Sequence, residues 1–165
     1  MLCTNSVCCS VHSPHSCFAA VMFGDNYYQV IASSLDWNSA KVAAAQLVYN
    51  GMQGHLVTVT SHAENLFIAS LRGPGIAVWI DGSDAATEGT WTFTTGPKLG
   101  ATMTYTNWDI GSAQPNGGSF ENCLLLLDDG TWGAAACTKR FYFVVEYEAT
   151  CALPWCSGML LADAC

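Results

Sequence analysis

The chain changes its period at Arg72-Gly-Pro-Gly75. Before this point two segments show helical spacing and carry their own start signals, whereas after it only short strand-like runs and long loops follow. Asp36 is placed to cap a helix running through about Tyr49, with Trp37, Ala40, Ala44, Leu47 and Val48 on one face. Ser61 followed by Glu64 forms a capping box, which predicts a helix from about 62 to Leu71 with Phe67, Ile68 and Leu71 toward the core. Residues 27–32 and 55–59 read as strands by their aromatic and β-branched content. Beyond Gly75, strands are expected at 76–81, 90–93, 122–127, 131–137 and 141–147. Residues 96 to 120 are rich in Gly, Asn and Thr with little periodicity, and loops of that length in a compact domain are usually functional or disordered. No internal repeat is visible.

The 165 residues suffice for one domain with a real core. Only 11% are charged, about half the usual share, so Ser, Thr, Asn and Gly must cover much of the surface. The net charge of −8 argues against nucleic acid and anionic membrane as partners, because both require a positive patch. Seven of the 13 acids fall between Asp81 and Asp129, which suits metal-binding loops as well as a solvated acidic face. No apolar run approaches the roughly 18 residues of a membrane helix, so membrane insertion is not expected. Met1 is followed by Cys and polar residues rather than a basic start and an apolar stretch, so a mature or excised segment is expected. Nine cysteines, clustered mainly at the two ends, point to an oxidising, extracellular setting. The odd count leaves at least one thiol free or bonded to another chain. His12 and His15 among the first cysteines make a zinc site conceivable there, against disulfides that link the two ends.

Four stretches together carry a family resemblance: LDWNSAKVAAAQLVYNGMQGHLVTVTSHAENLFIASL, VWIDGSDAATEGTWTFTTG, TYTNWDIGSAQPNGGSFENCLLLLDDGTWGAAAC and FVVEYE. In this order they resemble a C-type lectin-like domain over about residues 25–148, leaving Cys-bearing arms at 1–24 and 149–165. The resemblance implies an α+β fold with two helices flanking small antiparallel sheets and a long projecting loop region. It implies a disulfide between Cys123 and Cys137. The family's other disulfide is replaced, since its two positions fall near Ala44 and Val145.

Sugar-binding members of that family hold calcium with a Glx-Pro-Asx triplet, a Glu before the third cysteine and an Asn-Asp pair after a Trp. Gln114, Pro115 and Asn116 match the triplet and Glu121 matches the isolated acid, but Gly133 and Ala134 follow Trp132. With two ligands gone and a single carboxylate left, calcium is expected to bind weakly or not at all here. A second family calcium position matches Asp84, Glu88, Glu121 and Asn122; Asp84 and Glu88 equally suit capping of turns at Gly82 and Gly89. Trp79, Trp91 and Trp132 are expected in the core, and Trp108 is the aromatic with most prospect of partial exposure at a ligand site. His12, His15, His55 and His62 stand in no motif with a nucleophile, so an enzyme is not expected. Two functions fit: a recognition module that binds glycan or protein through residues 96–120, or a structural subunit of an extracellular filament, coat or appendage. The second would self-assemble through the core and the cysteine arms, with an intermolecular disulfide.

Overall fold

The computed structural model describes residues 20–148. The expected cysteine pairing between the two arms, and the alternative zinc site at His12 and His15, lie outside these residues. The fold is α+β. Along the chain come β1 (Val21–Phe23), β2 (Asn26–Leu35), α1 (Trp37–Gln46), β3 (Val48–Tyr49), β4 (Met52–Leu56) and α2 (His62–Leu71). They are followed by β5 (Val78–Ser83), β6 (Cys123–Leu126), β7 (Trp132–Ala135) and β8 (Phe141–Tyr147), with two single-turn 3-10 helices in the long segment between β5 and β6. The main sheet runs β1-β2-β8-β5-β6-β7, with β4 also on β8 and β3 on β4. β5 and β8 are parallel and the other pairs antiparallel. β1 joins the sheet inside the segment read as an arm, because Phe23 stacks on Phe67 of α2 with ring centroids 4.6 Å apart.

α1 starts where expected, since the Asp36 carboxylate accepts from the Ser39 N–H at 3.0 Å. It ends at Gln46, earlier than its apolar pattern suggests. The Leu47 carbonyl is taken by the Gly54 N–H (2.9 Å), and Val48 pairs with Gln53 across a turn at Asn50-Gly51, both left-handed (φ 50° and 78°). That turn is the common two-residue hairpin connection. Val48 is therefore a strand residue, 62% exposed. In α2 the Ser61 hydroxyl accepts from the Glu64 N–H (3.2 Å) as a capping box requires, but the Glu64 carboxylate reaches the Thr60 N–H (2.7 Å) rather than Ser61.

The strand expected at 55–59 is shifted to Met52–Leu56. Val57 to Val59 continue as buried non-strand backbone, Val57 donating to the Val144 carbonyl at 3.0 Å. Residues 90–93 form only two isolated bridges, both at Thr92, to Ser83 and to Thr102.

β8 divides the core. Val144 on one face joins Trp132, Ile80, Leu124 and Ile68, while Phe143, Val145 and Tyr147 on the other join α1 residues Trp37, Ala40 and Ala44. Ala44 and Val145 are fully buried in this second cluster. A Cβ added to Gly54 would lie 2.7 Å from the Ala44 carbonyl and 2.8 Å from Val145 Cγ1, so only glycine lets the strand pass between them. Close packing occupies the positions that the resemblance assigns to the family's other disulfide.

Candidate functional site

β7 carries the site's floor. Trp132 is fully buried, and its indole N–H donates to Asn65 Oδ1 at 2.7 Å. Its backbone fastens the long segment, donating to the Asn107 carbonyl (2.8 Å) and accepting from the Asp109 N–H (2.9 Å). Trp108, between these residues, is half-buried, with Trp91 and Trp132 rings edge-on at 5.0 and 6.0 Å. Trp79, Trp91 and Trp132 all lie in the core.

From this floor the chain rises into the turn Ile110–Ser112, whose first N–H groups are capped by Asp109 (Ser112 N–H to Oδ1, 3.1 Å). The Gln114–Pro115 peptide that follows is cis. Gln114 Oε1 accepts from the backbone N–H of Ala134 at 2.8 Å. Its Nε2 donates to Asn116 Oδ1 (3.3 Å), and Asn116 Nδ2 donates to the Ser112 carbonyl (2.8 Å). Every polar side-chain atom of the triplet thus has a partner within the chain. A Cβ on Gly133 would stand 3.7 Å from the Gln114 amide carbon, so the triplet faces the strand position where a ligand is missing. Glu121 folds back over Gly117, where a Cβ would collide with it, and pairs with Lys139 at 3.4 Å.

The second expected group is differently placed. Asp84 is buried; Oδ2 accepts from the Gly89 N–H at 3.0 Å, while Oδ1 has no partner. Asn122 donates to the Ser119 carbonyl at 3.1 Å, and its buried Oδ1 also has no partner. Because Ser83 pairs with Cys123 in the β5–β6 ladder, Asp84 and Asn122 stand beside one another where that ladder opens. Glu88 is exposed. A buried oxygen without a partner costs about 1–3 kcal/mol, and two on adjoining strand ends suit a hard cation that takes oxygen ligands. Asp84 Oδ1 and Asn122 Oδ1 are thus two oxygens open to a cation, short of the roughly six or more that calcium takes, with Glu88 exposed and Glu121 turned to Lys139; Asp84 also caps the turn to Gly89, as the alternative reading held.

Cys123 is bonded to Cys137, with Cα atoms 5.2 Å apart, tying β6 to the end of β7. By chain entropy, closing a loop of this size contributes about 3 kcal/mol.

A third polar group brings together residues that sequence reasoning did not connect. His55 Nε2 lies 3.2 Å from Glu148 Oε1, and Lys98 Nζ lies 3.4 Å from Glu148. Glu146 is fully buried and accepts from the Thr58 N–H (2.9 Å), the Thr58 hydroxyl (2.8 Å), Asn26 (2.8 Å) and Tyr28 (3.3 Å). Burial pushes the Glu146 carboxyl up. Burial pulls the His55 imidazole down, but Glu148 and Glu146 outweigh it, so the group is held above its ordinary value. The available signal was the spacing of two acids, Glu146 in an otherwise apolar strand and Glu148 just past its end.

The family model of the Lectin C-type domain matches residues 37–147. The chain belongs to this family. Halomucin of Haloquadratum walsbyi is 32% identical over 134 residues, covering 74% of this chain and 1% of that protein. Human C-type lectin domain family 17, member A is 27% identical over 129 residues, covering 78% of this chain and 31% of that protein. Among solved structures, the cow C-type carbohydrate-recognition domain of CD23, in the presence of a GlcNAc2Man3 oligosaccharide, superposes with a TM-score of 0.65 at 28% identity. The match covers 83% of this chain and 99% of that one. This C-type lectin domain thus spans nearly all of a solved relative but a third or less of these two curated relatives.

Proposed function

We propose that this C-type lectin domain is an extracellular, non-enzymatic recognition module that binds glycan or protein through residues 96–120 and does not coordinate sugar through calcium at the Gln114 triplet. The bond from the Ala134 N–H to Gln114 Oε1 carries this reading, because it holds the triplet against the strand positions where Gly133 and Ala134 offer no side-chain ligand. Calcium, where bound, belongs to the neighbouring position. Asp84 and Asn122 would hold it with Glu88 and Glu121, and it would supply positive charge that fastens the loop rather than contacts a ligand.

A second reading, a structural subunit of an extracellular filament, coat or appendage, is favoured by one observation. Ile110 and Phe120 are 86% and 85% exposed on the loop region, in a stretch with no Lys or Arg between Lys98 and Lys139. Apolar side chains on a surface without basic residues suit a protein neighbour.

A glycan array probed in calcium and again in chelator, with native mass measurement of the same sample, separates the readings. Binding unchanged by chelator supports the recognition module with a closed sugar site. No glycan binding together with self-association supports the subunit. Retention on a sugar column in calcium, released by chelator, overturns the closed site.

A further inference from the structure

The cluster under Gly96 is built differently from the loop site. β4 and β8 pair with His55 opposite Glu146, and Glu148 lies two residues further on, just past the end of β8, so all three side chains emerge on one face. The imidazole is 6% exposed and covered by the backbone of Gly96, where a Cβ would approach the ring to 2.6 Å. His55 Nδ1 lies 2.8 Å from the Leu56 carbonyl, an acceptor, so this nitrogen carries the proton. Nε2 faces Glu148 Oε1 at 3.2 Å but off the line of a hydrogen bond, so the two form an ion pair when the ring carries a second proton, as Glu148 and Glu146 favour, and are two facing acceptors when it does not. Something positive must lie between such groups, either a proton or a metal ion.

We propose that His55, Glu146 and Glu148 form a binding site for zinc or a similar borderline divalent cation, with the Lys98 ammonium as the charge it displaces. Ligand atoms of the three residues lie within 4.8 Å of one another. Two ligands of one tetrahedral ion with bonds of about 2.0 Å are about 3.3 Å apart and sit off the line that a direct hydrogen bond would follow. The separation and misalignment of His55 and Glu148 match that arrangement. The remaining features are those of an outer shell. Nδ1 is fixed by a backbone carbonyl, and Glu146 is oriented by Thr58, Asn26 and Tyr28. Lys98 is the movable member: its side chain is 34% exposed and touches Glu148 only at 3.4 Å, so it can swing into solvent when the ion enters. One nitrogen and two carboxylates suit zinc and are too few oxygens for calcium. The site stands apart from the Gln114 triplet and from the Asp84–Asn122 pair, and it does not depend on the proposed lectin function.

The test uses the full chain with its disulfides intact, titrated with zinc chloride while the imidazole nitrogens are followed by NMR. The His55 ring is identified by its cross-relaxation with Gly96. Its Nε2 resonance is expected to shift and saturate at one equivalent while His62 stays put. Glu148→Gln should weaken binding at least about tenfold, and Lys98→Met should leave it equal or tighter. The wild-type titration needs no variant to fold, so it decides by itself. An unmoved His55 ring in millimolar zinc, whether the metal goes to His12, His15 and the arm cysteines or nowhere, overturns the site. So does saturation by calcium at the same concentration.

Discussion

β8 and the segment from Thr94 to Asn122 satisfy their polar groups by opposite means. β8 lies between β2 and β5 with β4 also paired to it, and from Phe143 to Tyr147 it is buried on both faces. Its main chain is satisfied by a repeating ladder that tolerates any side chain of suitable size. The long segment holds two three-residue turns and bridges at single residues. It keeps its shape through individual bonds: Asp109 to Ser112, Gln114 to Ala134, Asn116 to Ser112 and Asn122 to Ser119. A ladder fails cooperatively, whereas single bonds can be exchanged one at a time. Contacts in such a segment can therefore be lost one at a time while the scaffold beneath stays intact, whereas the two missing metal ligands, at Gly133 and Ala134, fall on the ladder strand β7.

Trp132, on β7, touches both regions, and its removal is the hardest test of the contrast. Trp132→Ala should cost about 4 kcal/mol, read as a fall in the urea midpoint. It should loosen the loop and the first core cluster together, because the indole packs beneath both. Loss of loop order alone, with the midpoint unchanged, would break the comparison.

Tyr147 probes the ladder side alone. Burial pushes its phenol up to about 12, so the folded protein keeps it neutral while the unfolded chain ionises near pH 10. Its contribution is complete below pH 10 and is lost as pH rises toward 12, about 3 kcal/mol at most. Burial also raises Tyr28, which adds to the alkaline loss, so the share of Tyr147 is the difference between wild type and Tyr147→Phe across that range. Equal alkaline melting of the two proteins would count against it.

The smallest effect is expected in the loop. Gln114→Ala removes one acceptor and should cost about 1 kcal/mol. The Ala134 amide should exchange faster with solvent, while the amides of β8 keep their protection. Protection lost in both would mean that the segment is part of the ladder's cooperative unit.

What could be read from the sequence follows the same division. α2 was legible because Ser61 and Glu64 are local signals and Ile68 repeats at helical spacing. The end of α1 was not, because Leu47 and Val48 continue the apolar pattern while Asn50-Gly51 pulls the backbone into a hairpin. Residues 90–93 looked like a strand because Trp91 and Phe93 alternate and are buried, yet their backbone partners, Met103 and Ala101, belong to a loop. The Gln114-Pro115-Asn116 triplet was visible because its members are contiguous. Its inward bonding was not, since the partner is a main-chain N–H that any residue at 134 would offer. His55 and Glu148 come from strands far apart in the chain, and local spacing says nothing of such a meeting.

The packing of Ala44 against Val145 has a consequence for the redox life of the molecule. Where the resemblance places a second disulfide, between the first helix and the last strand, α1 is held here by apolar contacts that a reductant cannot break. Among the described residues, reduction would sever only the Cys123–Cys137 bond, on the loop side of the sheet. A thiol-rich medium would thus slacken the binding end first and leave the two chain ends of the domain joined through β2 and β8.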